Sequence, residues 1–479
     1  MPVFPALSPA VIHFIRAAYG ALLLATLASV LPHARRYFLS ERWGGYAQRG
    51  PWVDPVQNPI VMPALFAMWI VAAFALVAGR LVVAAALVNF LLCRYFFIQM
   101  RWHGVLRGMG APGFISYWLA AAVLLLELTS RYAPAVQGLA ILVLQVDFAL
   151  IMLSAGAYKF SAGYPQGQGM DLGMANPEWG YWWRFWHSVP PSSAVFRFLN
   201  QMAWSTEVVA GLLMLYPPTR VAGGMLILLS FVFIATQIRL GFLCEMVIVC
   251  CFVFATPGSF VDRWIAAYLP ADAPPVSPMP ALATALSLVL WAYLALLPIV
   301  RAGLEYNFRA RKGLPPPVQR LLEIYTNMFG MIIWRVFSAD TTNFFVQIYA
   351  QLDDGSRQLV SRWGRSLRFL QVAESITVTT LFTTLRYYPS NNALFVDRVV
   401  RYARTIAAAP GRALVFEYVR LVKRSDGFDF VPAAELLVDR AAGTVQEHVL
   451  DATLPLRAPA EGSPIHEGVR PGSYVPLVR

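Results

Sequence analysis

Over the first 300 residues the hydrophobic positions do not alternate with polar ones but run together, in stretches of about twenty, which is enough to cross a hydrocarbon core of roughly 30 Å as a helix. Nine such runs centre on Phe14–Pro32, Pro59–Gly79, Arg80–Met100, Phe114–Ser130, Val136–Tyr158, Phe198–Tyr216, Val221–Ile238, Gly241–Ala255 and Ala281–Val300. The seventh and eighth also read as one long segment interrupted by Arg239 and Glu245. No positive n-region precedes the first run, so it reads as a retained span rather than a cleaved signal.

Beyond Gly303 charges become frequent, and Arg309-Ala310-Arg311-Lys312-Gly313-Leu314-Pro315-Pro316-Pro317 has the composition of a linker. Phe344–Gln351 then alternates with a period of two and meets the turn signal Leu352-Asp353-Asp354-Gly355-Ser356 before Gln358–Val360, which predicts a hairpin. Leu394–Ala407 has helical periodicity, with Val396, Val399, Val400 and Tyr402 among charged residues. Ala413–Val422 and Ala434–Arg440 read as strands joined through Ser425-Asp426-Gly427. The predicted fold is a polytopic α-helical membrane protein of about nine transmembrane helices with a C-terminal α+β soluble domain. Residues 1–305 are the membrane region, 306–320 the linker, 321–455 the soluble domain and 456–479 a loose tail.

Composition agrees: 58% of residues are hydrophobic and only 13% charged, against about one quarter charged in soluble proteins. The lipid membrane is thus the first partner, and the inner membrane of a bacterial cell the expected location. The net charge of +12 calls for no nucleic acid, because basic loops orient membrane helices. With nine spans, Arg35, Arg36, Arg42, Arg49, Arg101, Arg107, Arg184, Arg197, Arg301, Arg309, Arg311 and Lys312 gather on the face of the odd loops and C-terminus. Arg131 and Arg220 lie on the other. The positive-inside rule makes the first face cytoplasmic. Cys93, Cys244, Cys250 and Cys251 all fall within predicted spans and none has metal-ligand spacing, so neither disulfides nor a structural zinc site is expected.

An ionisable side chain in a span costs roughly 2.5–3.5 kcal/mol on insertion scales and needs a partner or a wet cavity. Counting inward at about 1.5 Å per residue, Arg94 lies roughly 9 Å deep, Glu207 roughly 13 Å, Glu245 roughly 6 Å, and Asp147 roughly 18 Å below Lys159. His103, His187 and Arg239 sit near the same rim. Two readings stand: a shared cavity opening toward the C-terminal domain, or internal pairing of Arg94 with Asp147 or Glu207. In the opposite half, Glu127 and Arg131 read as a surface i,i+4 pair, and His13 and Arg16 as snorkelling residues. Lys159 itself closes an apolar run, at Ser154-Ala155-Gly156-Ala157-Tyr158-Lys159-Phe160. It serves either as an interfacial anchor or, if desolvated, as a general base. Glu207 is the candidate to tune it. The following loop, Gly163–Pro191, carries Trp179, Tyr181, Trp182, Trp183, Phe185 and Trp186. These rings suit either an interfacial anchor or a wall around a cavity mouth that takes a flat ring such as a quinone.

The stretch Ala155-Gly156-Ala157-Tyr158-Lys159-Phe160, with its aromatic loop, resembles the vitamin K-dependent γ-glutamyl carboxylase-like family, whose membrane region is the horizontally transferred transmembrane (HTTM) domain. The acidic Glu207 in the next span and the turn Leu240-Gly241-Phe242-Leu243 resemble that family too, and the likeness covers roughly residues 10–300. It implies Lys159 as the base that deprotonates a reduced quinone, the one position carried over as catalytic, and a lumen-like rather than cytoplasmic odd-loop face. A histidine expected before Leu240-Gly241 is replaced by Thr236 and Gln237, and the C-terminal region is shorter than in eukaryotic carboxylases. The leading reading is therefore a membrane enzyme of carboxylase-like or quinol-dependent chemistry, acting on a quinone or protein substrate. Its catalytic residue is Lys159, and Glu207, Arg94, His103, His187, Trp179, Trp182 and Trp183 line its cavity. The alternative is a non-catalytic membrane subunit that docks partner subunits. A transporter would need polar access from both faces, and the polar groups favour one.

Overall fold

The computed structural model describes residues 4–100, 110–269, 273–309, 314–332, 342–361, 372–387, 392–406 and 409–453. The apolar runs become helices, and four short helices (α2, α7, α8 and α12) lie between them: α1 (Pro9–Val30), α2 (Ala34–Phe38), α3 (Val61–Ala78), α4 (Val82–Cys93), α5 (Gly110–Tyr132), α6 (Gln137–Ser161), α7 (Met170–Ala175), α8 (Trp183–His187), α9 (Ala194–Leu215), α10 (Arg220–Gln237), α11 (Leu243–Cys251), α12 (Phe260–Tyr268) and α13 (Pro280–Arg309). Local chemistry sets the boundaries. Ser8 caps α1 by accepting from Val11 N–H at 3.2 Å, with Pro9 at the first helical position. α3 ends on Gly79 in the left-handed conformation, at φ 67°. α4 continues through a π-helical turn, Arg94–Gln99, a geometry found mostly at functional sites.

Seven described helical stretches are long and apolar enough to cross a membrane: Pro9–Phe38, Val61–Ala78, Val82–Gln99, Gly113–Tyr132, Pro134–Ser161, Pro217–Gln237 and Pro280–Asn307. The sequence reading of nine differs at two places. α9 has the length, 22 residues, but Asn200, Gln201 and Glu207 dilute its hydropathy. α11 has 9 residues and is extended only by the 3-residue turn Phe252–Phe254. Both nevertheless pack as full members of the bundle. A Cβ on Gly156 of α6 would lie 2.7 Å from the Trp204 carbonyl, and one on Gly211 of α9 2.6 Å from Leu153 Cγ, so these two helices touch backbone to backbone and run antiparallel. Gly223 meets Ala210 and Met214 in the same way, and Gly224 meets Cys251 and Phe254. The chain therefore reverses direction at each step from α6 through α11.

α14 (Pro316–Phe329) follows, then a five-stranded antiparallel sheet in the order β2-β1-β3-β4-β5, with two helices. The strands are β1 (Phe344–Gln351), β2 (Arg357–Leu359), β3 (Ala413–Lys423), β4 (Phe428–Asp439) and β5 (Thr444–Val449); the helices are α15 (Val372–Tyr387) and α16 (Asn392–Thr405). The β1–β2 hairpin forms at the expected turn, with Gln351 opposite Arg357. β4 begins six residues earlier than its apolar pattern indicated. Its register slips between Tyr418 and Val419, where Pro432 sits, and a bulge tolerates the missing N–H. α13 runs on to Arg309 and α14 opens at Pro316, so helix occupies most of the anticipated linker. Residues 310–313 and the tail 456–479 lie outside the described residues.

Alternation along the strands gives the sheet two faces. On one, Phe382 of α15 packs on Tyr418, ring centroids 5.6 Å apart, and Tyr402 of α16 on Phe416 at 6.2 Å. On the other, Phe345 meets Phe430 at 5.2 Å, and Phe430 meets His187 at 4.6 Å and Trp183 at 5.8 Å. The aromatic loop after α6 thus covers one face of the sheet. The large cluster of buried apolar side chains includes residues of both helices and sheet, with smaller clusters such as Leu172, Ala175, Phe196, Leu421 and Phe428 beside it.

Candidate functional site

Lys159 stands in the last turn of α6, on the side that approaches α9. Because Gly156 lets the two backbones meet, a side chain one turn later reaches across. Lys159 is 5% exposed and Glu207 1%; Lys159 Nζ lies 2.5 Å from Glu207 Oε1. The second carboxylate oxygen, Glu207 Oε2, is buried and has no hydrogen-bond partner among the described residues. The ring of Tyr164, fully buried, lies with its centroid 6.0 Å from the ammonium. Gly169 fixes that ring in place: a Cβ there would come within 2.5 Å of it.

Further along the same face of α9, a separate polar chain leads to the C-terminal domain. Asn200 precedes Glu207 by two helical turns on the same face of α9. Its Oδ1 accepts from Met170 N–H at 2.7 Å and its Nδ2 donates to Asp171 Oδ1 at 3.3 Å. Asp171, fully buried, in turn pairs with Lys423 at the end of β3, 2.5 Å away, and Lys423 also donates to the Gly167 carbonyl. Asp171 is therefore committed to Lys423 rather than turned toward Lys159. Asn176 donates to the carbonyls of Thr342 and Phe344, both at 2.8 Å. Glu178, 3% exposed, accepts from Thr379 of α15 at 3.2 Å. Burial holds the Glu178 carboxyl well above the usual carboxylate range, against the opposing pull of hydrogen bonds from Thr379 and Ser375.

The structure separates most of the other candidate residues from Lys159. Trp179 is buried, with its carbonyl accepting from Arg239 N–H at 2.8 Å, while Trp182 is mostly exposed and donates to the Thr236 carbonyl at 3.1 Å. Arg239 stacks over Tyr181 at 5.0 Å and donates to the Pro177 carbonyl at 3.0 Å. The loop is thus pinned to the α10–α11 turn on one side and, through Trp183 and His187, to the sheet on the other. Arg94 donates to the Met328 carbonyl of α14 and pairs with neither Asp147 nor Glu207. His103 lies outside the described residues. Asp147 accepts from Trp118 Nε1 at 3.0 Å and pairs with Arg301 at 3.1 Å. Arg301, counted from sequence with the basic loops, is in fact buried inside α13.

Glu127 and Arg131 are not an ordinary surface pair. Glu127 is 2% exposed and held between Arg16 at 2.9 Å and Arg131 at 3.1 Å, and Arg16 also donates to the Leu76 carbonyl at 3.1 Å. Arg16 therefore does not snorkel. The Glu127 carboxylate and the Leu76 carbonyl near the end of α3 offer it more than solvent would. Among the described residues no three His, Cys, Asp or Glu side chains could hold a metal ion, and all four cysteines are free and buried.

Neither family models, nor curated proteins, nor solved structures match this chain. The chemistry of the site has to be argued from its own residues. Asn176, Glu178, Asn200 and Lys423 went unnoticed in the sequence. Only Asn200 left a signal, its seven-residue spacing from Glu207.

Proposed function

We propose that this chain is a multi-pass protein of the bacterial inner membrane in which Lys159 and Glu207 form a proton-accepting pair acting on a ring lipid of the reduced-quinone kind, as the likeness to carboxylase-like HTTM proteins implies. The observation that carries this reading is the unpartnered, buried Glu207 Oε2 beside a buried ammonium. Nine crossings are favoured over seven because α9 runs antiparallel to α6, and the start of α10 meets the ends of both α9 and α11.

We infer for the two side chains different work from that expected of them. The Lys159 ammonium occupies Glu207 Oε1 at 2.5 Å, so the open acceptor is Glu207 Oε2. A hydroxyl brought to that atom transfers its proton there: its O–H bond breaks, one forms on Oε2, and the electron pair stays on the ligand oxygen. Lys159 then faces the new anion and stabilises it, which is worth most in a water-poor site. A reduced quinone would supply the acidic hydroxyl, and an oxygen acceptor beside a cation suits it. Tyr164 is the ring nearest the pair. Trp183 and His187 serve the sheet instead.

A second reading, a docking platform without chemistry, draws support from the way Asn176, Glu178 and Lys423 clamp the loop to the C-terminal domain. One experiment separates the two. Wild type, Lys159→Met and Glu207→Gln are extracted in mild detergent, and binding of a reduced quinone is followed across pH. The enzyme reading expects binding that depends on pH in wild type and loses that dependence in both variants. Identical profiles in all three, or no binding, would leave the platform.

A further inference from the structure

α14 doubles back on α13. Leu314 N–H donates to Asn307 Oδ1 at 3.3 Å, a Cβ on Gly303 would lie 3.7 Å from Leu322 Cδ1, and Tyr293 meets Tyr325 and Phe329 with ring centroids 6.4 and 4.9 Å apart. Later turns of α14 thus meet earlier turns of α13, and the two helices run antiparallel. Counting along the spans gives the depth. Tyr293 lies roughly 20 Å along α13 from Pro280 at about 1.5 Å per residue, which is about 10 Å short of the far surface of a roughly 30 Å hydrocarbon core. Arg94, roughly 18 Å along its helix from Val82, reaches a similar level by the same count. It donates to the Met328 carbonyl.

A helix that stops inside hydrocarbon must still satisfy its last carbonyls. At the tip of α14 the protein does so. Gly330, left-handed at φ 67°, donates to the Thr326 carbonyl, Arg94 donates to that of Met328, and Arg301 Nη1 donates to that of Ile332 at 3.2 Å. Both cations also complement the negative end of the helix. The tip is packed from the other side, since a Cβ on Gly330 would come within 2.7 Å of Tyr117 Cε1 and 2.9 Å of Ile98 Cδ1. Leu322 and Thr326 face the bundle and are buried. Val318, Leu321, Ile324 and Met328 recur every three or four residues along another face and are 46% to 67% exposed. The charged residues Arg320 and Glu323 both lie before Ile324, in the shallower part of the helix.

We propose that α14 is a re-entrant helix, which dips into the bilayer from the face carrying the C-terminal domain, lays its outer stripe against the acyl chains of that leaflet and ends against Arg94 and Arg301. Its 14 residues are too few to span but suit a segment that enters and stops. Lipid is the occupant of the stripe because α14 lies level with the part of α13 between Tyr293 and Gly303, where α13 itself exposes Leu296 and Ile299. The membrane region then extends past residue 305, as far as Gly330. This inference rests on membrane embedding and is independent of the chemistry assigned to Lys159.

The test uses the full chain in liposomes of phosphatidylcholine and phosphatidylglycerol, with a nitroxide on one introduced cysteine at a time: Val318→Cys, Leu321→Cys, Ile324→Cys or Met328→Cys. The four native cysteines are buried, and labelling of wild type sets their background. Collisions of the nitroxide with oxygen, which concentrates in hydrocarbon, are compared with collisions with a water-soluble nickel chelate. Two positions calibrate the scale, Leu296→Cys on the outer face of α13 and Asp353→Cys in the exposed β1–β2 turn. Nickel access should fall stepwise from position 318 to position 328, with a several-fold loss at 328 relative to Asp353→Cys and a value there close to that of Leu296→Cys. One shallow depth shared by all four positions would make α14 a helix lying flat among the headgroups and overturn the proposal. Nickel access at all four equal to that of Asp353→Cys, with Leu296→Cys protected, would give the stripe to water or a protein partner and overturn it as well. If Leu296→Cys is itself open to nickel, membrane embedding fails, and the re-entrant helix fails with it.

Discussion

Lys159 and Glu207 each depend on the other for burial, and that gives the pair a measurable signature. Removing one partner strands a charge in a low-dielectric site, at a cost of about 3–5 kcal/mol, whereas replacing both by apolar residues of similar volume is often neutral. Lys159→Met and Glu207→Leu should therefore each lower the thermal stability of the detergent-solubilised protein, while the double variant recovers most of the loss. A double as unstable as the sum of the singles would mean that the two side chains do not interact. Glu178 offers the opposite kind of test. Its folded-state pKa is raised by burial, so its contribution is fully present below the ordinary carboxylate value, near 4.3, and is lost as pH rises through the raised folded value. Glu178→Gln should flatten that part of the stability-versus-pH curve and stabilise the protein near neutral pH. A curve unchanged by the substitution would show that the carboxyl is not buried in solution.

At the scale of elements, what could be read in advance was what repeats with a short period. The apolar runs located α1, α3 to α6, α9 to α11 and α13 but not the short α2, α7, α8 and α12, and the alternation in Phe344–Gln351 gave β1, its turn and its partner. β5 could not be read, because its side chains are nearly all exposed and carry no period-two pattern. α14 was masked by its prolines, which sit in its first turn, where a missing N–H costs nothing. Of the site, the Lys159–Glu207 encounter was anticipated, since adjacent antiparallel helices place a residue near one end of the first opposite the early turns of the second. The Asp147–Arg301 pair was not, because Arg301 is 154 residues away and looked like part of a loop. The close approach of α6 and α9 makes its own prediction. Gly156→Ala forces a methyl to within 2.7 Å of the Trp204 carbonyl, and overpacking of this kind costs about 1–3 kcal/mol. A melting temperature equal to wild type would mean that the helices stand further apart.

In the whole molecule the C-terminal domain is held at two places far apart in sequence. Asn176 and Lys423 fasten it to the loop after α6. The segment after α1 holds it as well: Arg36 pairs with Glu374 at 2.9 Å, donates to Thr405 at 2.9 Å and stacks over Tyr402 at 5.0 Å, while Arg401 donates to the Tyr46 carbonyl at 3.3 Å. Arg36→Ala should raise hydrogen exchange in α15 and α16 while leaving α3 and α6 unchanged; exchange equal to wild type in α16 would show that the second attachment suffices alone. The Arg36 contacts also set a clock on biosynthesis. Arg36 and Thr405 are separated by 369 residues, and at about 5–20 residues per second a ribosome needs roughly twenty to seventy seconds to make the second after the first. For that interval the guanidinium and its neighbours on the early segment stay hydrated or in the care of a chaperone, and this face of the molecule closes only once the last strands have left the exit tunnel.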